Sequence, residues 1–131
     1  MNHTDAAAAY RTATFENAPP IKILHLLYEG AIRFLERARD LGPEHVEFRK
    51  YVHRADEIIS ELRASLSHEP NPEFGANLES LYVFIQDELG STLLEAKEDG
   101  IENSIRILEI LLDGWKQAQI QLGAEAGNGI A

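Results

Sequence analysis

Apolar residues recur at three- and four-residue spacing along four stretches of this chain, with Gly and Pro concentrated between them. Leu24, Leu27, Tyr28, Ala31, Leu35 and Ala38 share one face of a helix predicted over about residues 20–41, which Leu41-Gly42-Pro43 closes. Pro43 opens a second helix reaching about residue 67, with Phe48, Tyr51, Val52, Ala55, Ile58, Ile59, Leu62 and Leu66 inward. His68-Glu69-Pro70-Asn71-Pro72 stops it, because a residue preceding Pro is pushed out of the helical region. A third helix over about 73–98 carries Leu78, Leu81, Tyr82, Ile85, Leu89 and Ala96 on its stripe. Asp99 with Glu102 three residues on reads as a capping box for a fourth, which runs to about Leu122 and ends at Gly123. Its inward side is Ile101, Ile105, Leu108, Leu112, Trp115 and Gln119.

No alternation of period two persists for a strand's length. Short loops between helices of similar length make sequence neighbours antiparallel, so the fold expected is an all-α, up-down-up-down four-helix bundle. Residues 1–18 hold no sustained period and read as a mobile N-terminal arm, 19–123 as the bundle, and 124–131, with two more glycines, as a frayed tail.

The four stripes are not equally wide. At 100° per residue the second helix has an apolar arc of roughly 120°, about what a bundle needs. The fourth adds Ile107, Ile110, Leu111, Gly114 and Ala118 on an adjoining face, widening its arc to roughly 200°. Only Glu102, Arg106, Glu109, Asp113 and Lys116 remain as a polar strip. Two explanations stay open. Either this helix sits deepest in the bundle, or its surplus face is a groove that another polypeptide covers, since soluble monomers seldom leave such a patch wet without a partner.

Composition narrows what the domain can do. Apolar residues make up 44% and charged residues 26% of the 131, the balance of a globular protein. With 22 Asp and Glu against 12 Lys and Arg the net charge is −10, which repels phosphate backbones, so nucleic-acid binding is not expected. No cysteine is present, which closes disulfide, thiolate-metal and cysteine-nucleophile chemistry. Neither a signal peptide nor a run of about 18 apolar residues occurs, pointing to a cytoplasmic protein without membrane insertion.

Di-iron bundles need Glu-x-x-His pairs, and no His here has Asp or Glu three positions before it. His25 with Glu29 and His53 with Glu57 are read as solvated surface pairs. No P-loop, dinucleotide fingerprint or nucleophile elbow occurs, so no enzyme activity, catalytic residue, cofactor or metal site is expected. Tyr28, Tyr82 and Trp115 at helical spacing are read as core aromatics.

Leu27-Tyr28-Glu29-Gly30-Ala31-Ile32-Arg33-Phe34-Leu35 closely resembles the L-Y-D-G-A-I-R-F-L signature of the flagellin export chaperone family, FliS. Tyr10, Phe15 and Ala18-Pro19-Pro20 upstream are similar to further pieces of the family pattern, as are Ala55-x-x-Ile58-Ile59-x-Glu61-Leu62, Asn77-Leu78-x-x-Leu81-Tyr82 and Leu108-x-x-Leu111-x-x-x-Trp115 downstream. Pro19 stands where the family usually has Ser, and Glu88 where Arg is usual.

This resemblance implies a bundle that holds the C-terminal segment of flagellin in the cytoplasm before export through the flagellar type III apparatus. It also implies that an N-terminal arm lies over part of the groove, which assigns Tyr10 and Phe15 to that arm. Combined with the surplus face, it makes Ile107, Ile110, Leu111 and Gly114 the expected groove, with Ile23 and Leu27 added from the first helix. The competing expectation is a self-associating adaptor, whose surplus face closes a homodimer or takes another amphipathic segment.

Overall fold

The computed structural model describes residues 20–68, 71–95 and 98–130, with side chains described from 21 to 118 and at 120. Tyr10, Phe15 and Ala96 lie outside the described residues. Among the described residues four helices, α1 (Pro20–Leu41), α2 (Phe48–Ser65), α3 (Pro72–Glu95) and α4 (Asp99–Ile130), form an all-α four-helix bundle. They pack in a closed ring, α1 on α2, α2 on α3, α3 on α4 and α4 on α1, and among the described residues the diagonal pairs do not approach closely in backbone.

One sequence rule produces the ring. The positions driven inward alternate in steps of four and three on every helix: Leu24, Tyr28, Ala31, Leu35 and Ala38 on α1, then Phe48, Val52, Ala55, Ile59 and Leu62 on α2. On α3 they are Leu78, Tyr82, Ile85, Leu89 and Thr92, and on α4 Ile101, Ile105, Leu108 and Leu112. A seven-residue period keeps each seam facing its neighbours along the bundle's length, the packing of left-handed coiled bundles. At its centre the Tyr28 and Tyr82 hydroxyls are 2.5 Å apart, so two fully buried polar groups satisfy each other across the bundle.

Leu81 departs from the expected stripe: 100° round from Tyr82, it is 37% exposed on the α4 side of α3. Tyr51, Ile58, Leu66 and Trp115 are likewise only half-buried, packed against the core from outside the seams or at an end. His53 is exposed as expected. His25 differs, because its Nε2 is shielded from solvent and has no hydrogen-bond partner among the described residues.

Helix ends also show where local rules compete. Gly42, at φ 85°, ends α1, with its N–H donating to the Ala38 carbonyl at 2.9 Å. Residues 43–47 then form turns, so α2 starts at Phe48 and not at Pro43. His45 Nδ1 accepts the Glu47 N–H at 3.0 Å within them, and Pro suits the first position of a turn as well as that of a helix. Asn71 caps α3 by accepting the Phe74 N–H at 3.1 Å, which makes Pro72 the first helical residue.

Asp99 is already helical and Glu98 holds the cap position, so the Asp99–Glu102 pair is one residue late for a capping box. Both carboxylates serve the first-turn dipole instead. Glu102 also accepts from Arg39 Nη1 at 2.9 Å, tying the end of α1 to the start of α4 and raising the Arg39 pKa. Arg49 Nη1 reaches the Leu93 carbonyl at 2.8 Å near the end of α3. The last correction is at the C-terminus, where the segment 124–130 expected as a tail continues α4 in helical form to Ile130. Each Gly costs a helix only about 1 kcal/mol, and after Gly123 come Ala124, Glu125 and Ala126, good helix formers, with no Pro before Ile130 to stop the helix outright.

The start of α4 comes close to α3 at Gly100. A methyl group on Gly100 would lie 2.6 Å from Thr92 Oγ1 and 2.7 Å from the Glu88 carbonyl oxygen, which is backbone and cannot swing away. Gly100→Ala is therefore expected to lower stability by about 1–3 kcal/mol through overpacking. Urea unfolding followed by helical circular dichroism measures it, and an unchanged midpoint would show that the crossing is looser than this geometry requires.

Candidate functional site

The reading of α4 as the most deeply enclosed helix fails on exposure. Ile110 is 65% exposed, Gly114 is exposed, and Ile107, Leu111 and Ala118 are half-buried. Its surplus face is turned outward, toward the cleft it makes with α3.

That cleft is a trough of about 270 Å³, lined by Phe74 and Leu78 from α3 and by Ile110, Leu111, Gly114, Trp115 and Ala118 from α4. Every lining side chain is apolar. Phe74 and Trp115 close one end edge-to-face, with ring centroids 6.0 Å apart and planes at 87°. Trp115 has its Nε1 buried without a hydrogen-bond partner, the trough's single orphaned donor among the described residues. At Gly114 a Cβ would meet nothing within 4 Å, so the wall is low there and the backbone lies open.

Further along the same cleft Phe84, Asn103, Arg106 and Ile107 line a shallower depression of about 320 Å³. Glu88 Oε2 accepts from Asn103 Nδ2 at 3.4 Å beside it. From Asn103 to Ala118 the two depressions follow α4 for about 22 Å at 1.5 Å per residue. Phe74, Leu81 and Phe84 add 51%, 37% and 45% exposed apolar side chains along α3. A cleft of this length, apolar floor and polar margin suits an amphipathic helix or extended segment laid along it.

The structure brings together Ile110, Leu111 and Gly114 in the trough and places Ile107 in the adjoining depression. Ile23 and Leu27, on α1, are half-buried and border neither cavity. Phe74, Leu78, Phe84 and Trp115 were not expected as lining residues. Phe74 and Phe84 lie off the α3 seam, where spacing alone does not say whether a ring is covered.

Nothing in the cleft is arranged for bond making. Among the described residues no group of three His, Cys, Asp or Glu could hold a metal ion, and no helix is long and apolar enough to cross a membrane.

Comparison with known proteins agrees with the motifs in the chain. The family model described as "Flagellar protein FliS" matches residues 2–122. A curated relative from Campylobacter jejuni subsp. jejuni serotype O:6, named "Flagellar secretion chaperone FliS", is 35% identical over 100 residues. That alignment covers 75% of this chain and 78% of the relative.

Proposed function

Since this chain belongs to the FliS family of flagellar export chaperones, we propose that its α3–α4 trough holds the C-terminal segment of flagellin. The family is one of chaperones and not of enzymes. The finer reading is a cytoplasmic protein that keeps flagellin unpolymerised and delivers it to the flagellar type III export apparatus. The observation that carries it is the apolar cleft of α3 and α4, a strip of surface that the other described residues leave uncovered and the bundle's own seams do not use.

Flagellin's terminal segments are amphipathic and disordered in the monomer, so their apolar faces pair with one another unless something occupies them. A chaperone that binds only this unassembled form draws the equilibrium away from polymer by mass action. Ile107, Ile110, Leu111 and Gly114 are the contacts assigned on α4, with Phe74, Leu78, Phe84 and Trp115 opposite or beside them. Ile23 and Leu27 are retained as outlying contacts on α1, reached by a client that extends beyond the cleft. Tyr10 and Phe15 belong to an arm that covers the trough until the client displaces it.

The chain has a single tryptophan, and it forms part of the trough wall. Titrating a flagellin C-terminal peptide is therefore expected to shift Trp115 emission saturably, with sub-micromolar affinity and a stoichiometry of one. Light scattering alongside separates the homodimer reading, since client and self-association would compete for one surface. No saturable change in fluorescence or heat at micromolar peptide would remove the proposal.

A further inference from the structure

Half of the chain's 12 lysines and arginines fall in one stretch: Arg33, Arg37, Arg39, Arg49, Lys50 and Arg54, spanning the end of α1 and the start of α2. With Glu36, Asp40, Glu44 and Glu47 in the same stretch it sums to +2, in a protein of net charge −10. In the closed ring the α1–α2 edge lies opposite the α3–α4 cleft, so this surface is separate from the proposed client trough.

Its centre is a pair of rings. Phe34 on α1 and Tyr51 on α2 pack with centroids 6.1 Å apart, both half-buried against the core. Three cations lie over them: Arg37 is 5.7 Å and Lys50 5.1 Å from the Tyr51 centroid, and Arg54 is 5.9 Å from that of Phe34. Lys50 also approaches Glu47 at 3.6 Å, whereas neither Arg37 nor Arg54 has a carboxylate within ion-pair distance among the described residues. Both arginines are exposed.

A guanidinium lying over a ring is fixed by its face and keeps its edge, with the forked N–H donors, free for a carboxylate. Because stacking has already restricted the side chain, less freedom is lost when an acceptor docks. We propose that the α1–α2 face docks a short acidic segment of a partner protein. Arg37 and Arg54 receive its carboxylates in forked hydrogen bonds, Lys50 adds a third positive charge, and the Phe34–Tyr51 pair takes an intervening apolar side chain.

The observations favour a polypeptide over an anionic membrane. The two rings are half-buried against the core, so they do not offer a projecting side chain to insert below lipid headgroups. The protein's overall negative charge also opposes approach to an extended anionic surface, while a short acidic segment meets only the local patch. Free phosphate would leave the aromatic floor unused.

The test uses the full-length protein and a fluorescein-labelled, glutamate-rich peptide containing one phenylalanine, with its lysine counterpart as control. Expected are saturable binding of the acidic peptide only, weakening as salt rises, and at least a tenfold loss in Arg37→Ala/Arg54→Ala. The Arg37→Lys/Arg54→Lys pair should bind with intermediate affinity, because the charge remains and the fork is lost. Should the alanine pair melt early, the lysine pair, which keeps its aliphatic stems, carries the comparison. Binding should be unaffected by Ile110→Asp, which separates this surface from the trough. Equal affinity of wild type and both double variants overturns the proposal. So does displacement of the peptide by an equal concentration of inorganic phosphate, or a wild-type preference for phosphatidylserine vesicles over the peptide.

Discussion

Ile110→Asp is expected to abolish client binding and leave the fold intact. At 65% exposed, Ile110 contributes little to the monomer, and surface substitutions of this kind usually change stability by less than about 0.5 kcal/mol. A client lying in the trough would cover that position and hold a carboxylate against Phe74, Leu78 and Leu111, in a trough whose own lining carries no charge. Leaving one charge buried and uncompensated costs about 3–5 kcal/mol, which is more than two decades in Kd. Calorimetric titration with the flagellin peptide reads the loss, and melting of the free variant verifies the fold. Gly114→Leu gives a companion measurement. A Cβ at this position meets nothing within 4 Å and Leu favours helix over Gly by up to about 1 kcal/mol, yet the longer side chain takes up space in the trough. A variant that melts no earlier and binds at least tenfold more weakly is the expected result, whereas wild-type affinity in both variants would place the client elsewhere.

The second large effect concerns the seam. Tyr28 is fully buried, and Tyr28→Ala removes both its ring and its hydroxyl partnership with Tyr82. Large-to-small substitution of a buried aromatic costs about 3–5 kcal/mol, out of a total of roughly 5–15 for a domain. The melting temperature should fall by about 10–20 °C, or the cooperative transition should vanish. Tyr28→Phe, which keeps the ring and loses one hydrogen bond, should cost about 1 kcal/mol. Thermal denaturation of the pair decides it: if Tyr28→Ala melts within a few degrees of wild type, the central tyrosine pair does not hold the bundle together.

The seam was readable from sequence because burial in a bundle depends on a period, and a period needs no knowledge of neighbours. Leu24, Tyr28, Ala31, Leu35 and Ala38 declare themselves by spacing alone, and so do their counterparts on the other three helices. Half of the trough was legible for a similar reason, since Ile107, Ile110, Leu111 and Gly114 widen the α4 arc beyond what its packing can use. The opposite wall was not. Phe74 and Phe84 are single rings off the stripe, and whether such a ring is covered depends on which helix edge is left open, a property of the whole ring of helices.

Tyr51 shows the same limit from another side. Its spacing placed it inward, but it lies at the α1–α2 margin, where Arg37 and Lys50 cover it. Helix ends were the least legible parts, because Pro43 and Gly123 each suit two conformations. At Pro43 the choice rests on Gly42 and His45 beside it, and at Gly123 on the helix formers that follow.

The strict four-and-three step shared by all four helices restricts how the chain can change length. Deleting one residue inside a helix rotates everything beyond it by 100°, which would swing oily seam positions toward water and charged ones inward. Insertion of a full heptad would restore the angular phase but displace the remaining layers by about 10 Å, beyond reach of their partners. Length variation that leaves the protein working should therefore be confined to connections between helices such as residues 43–47, where neither phase nor layer is set.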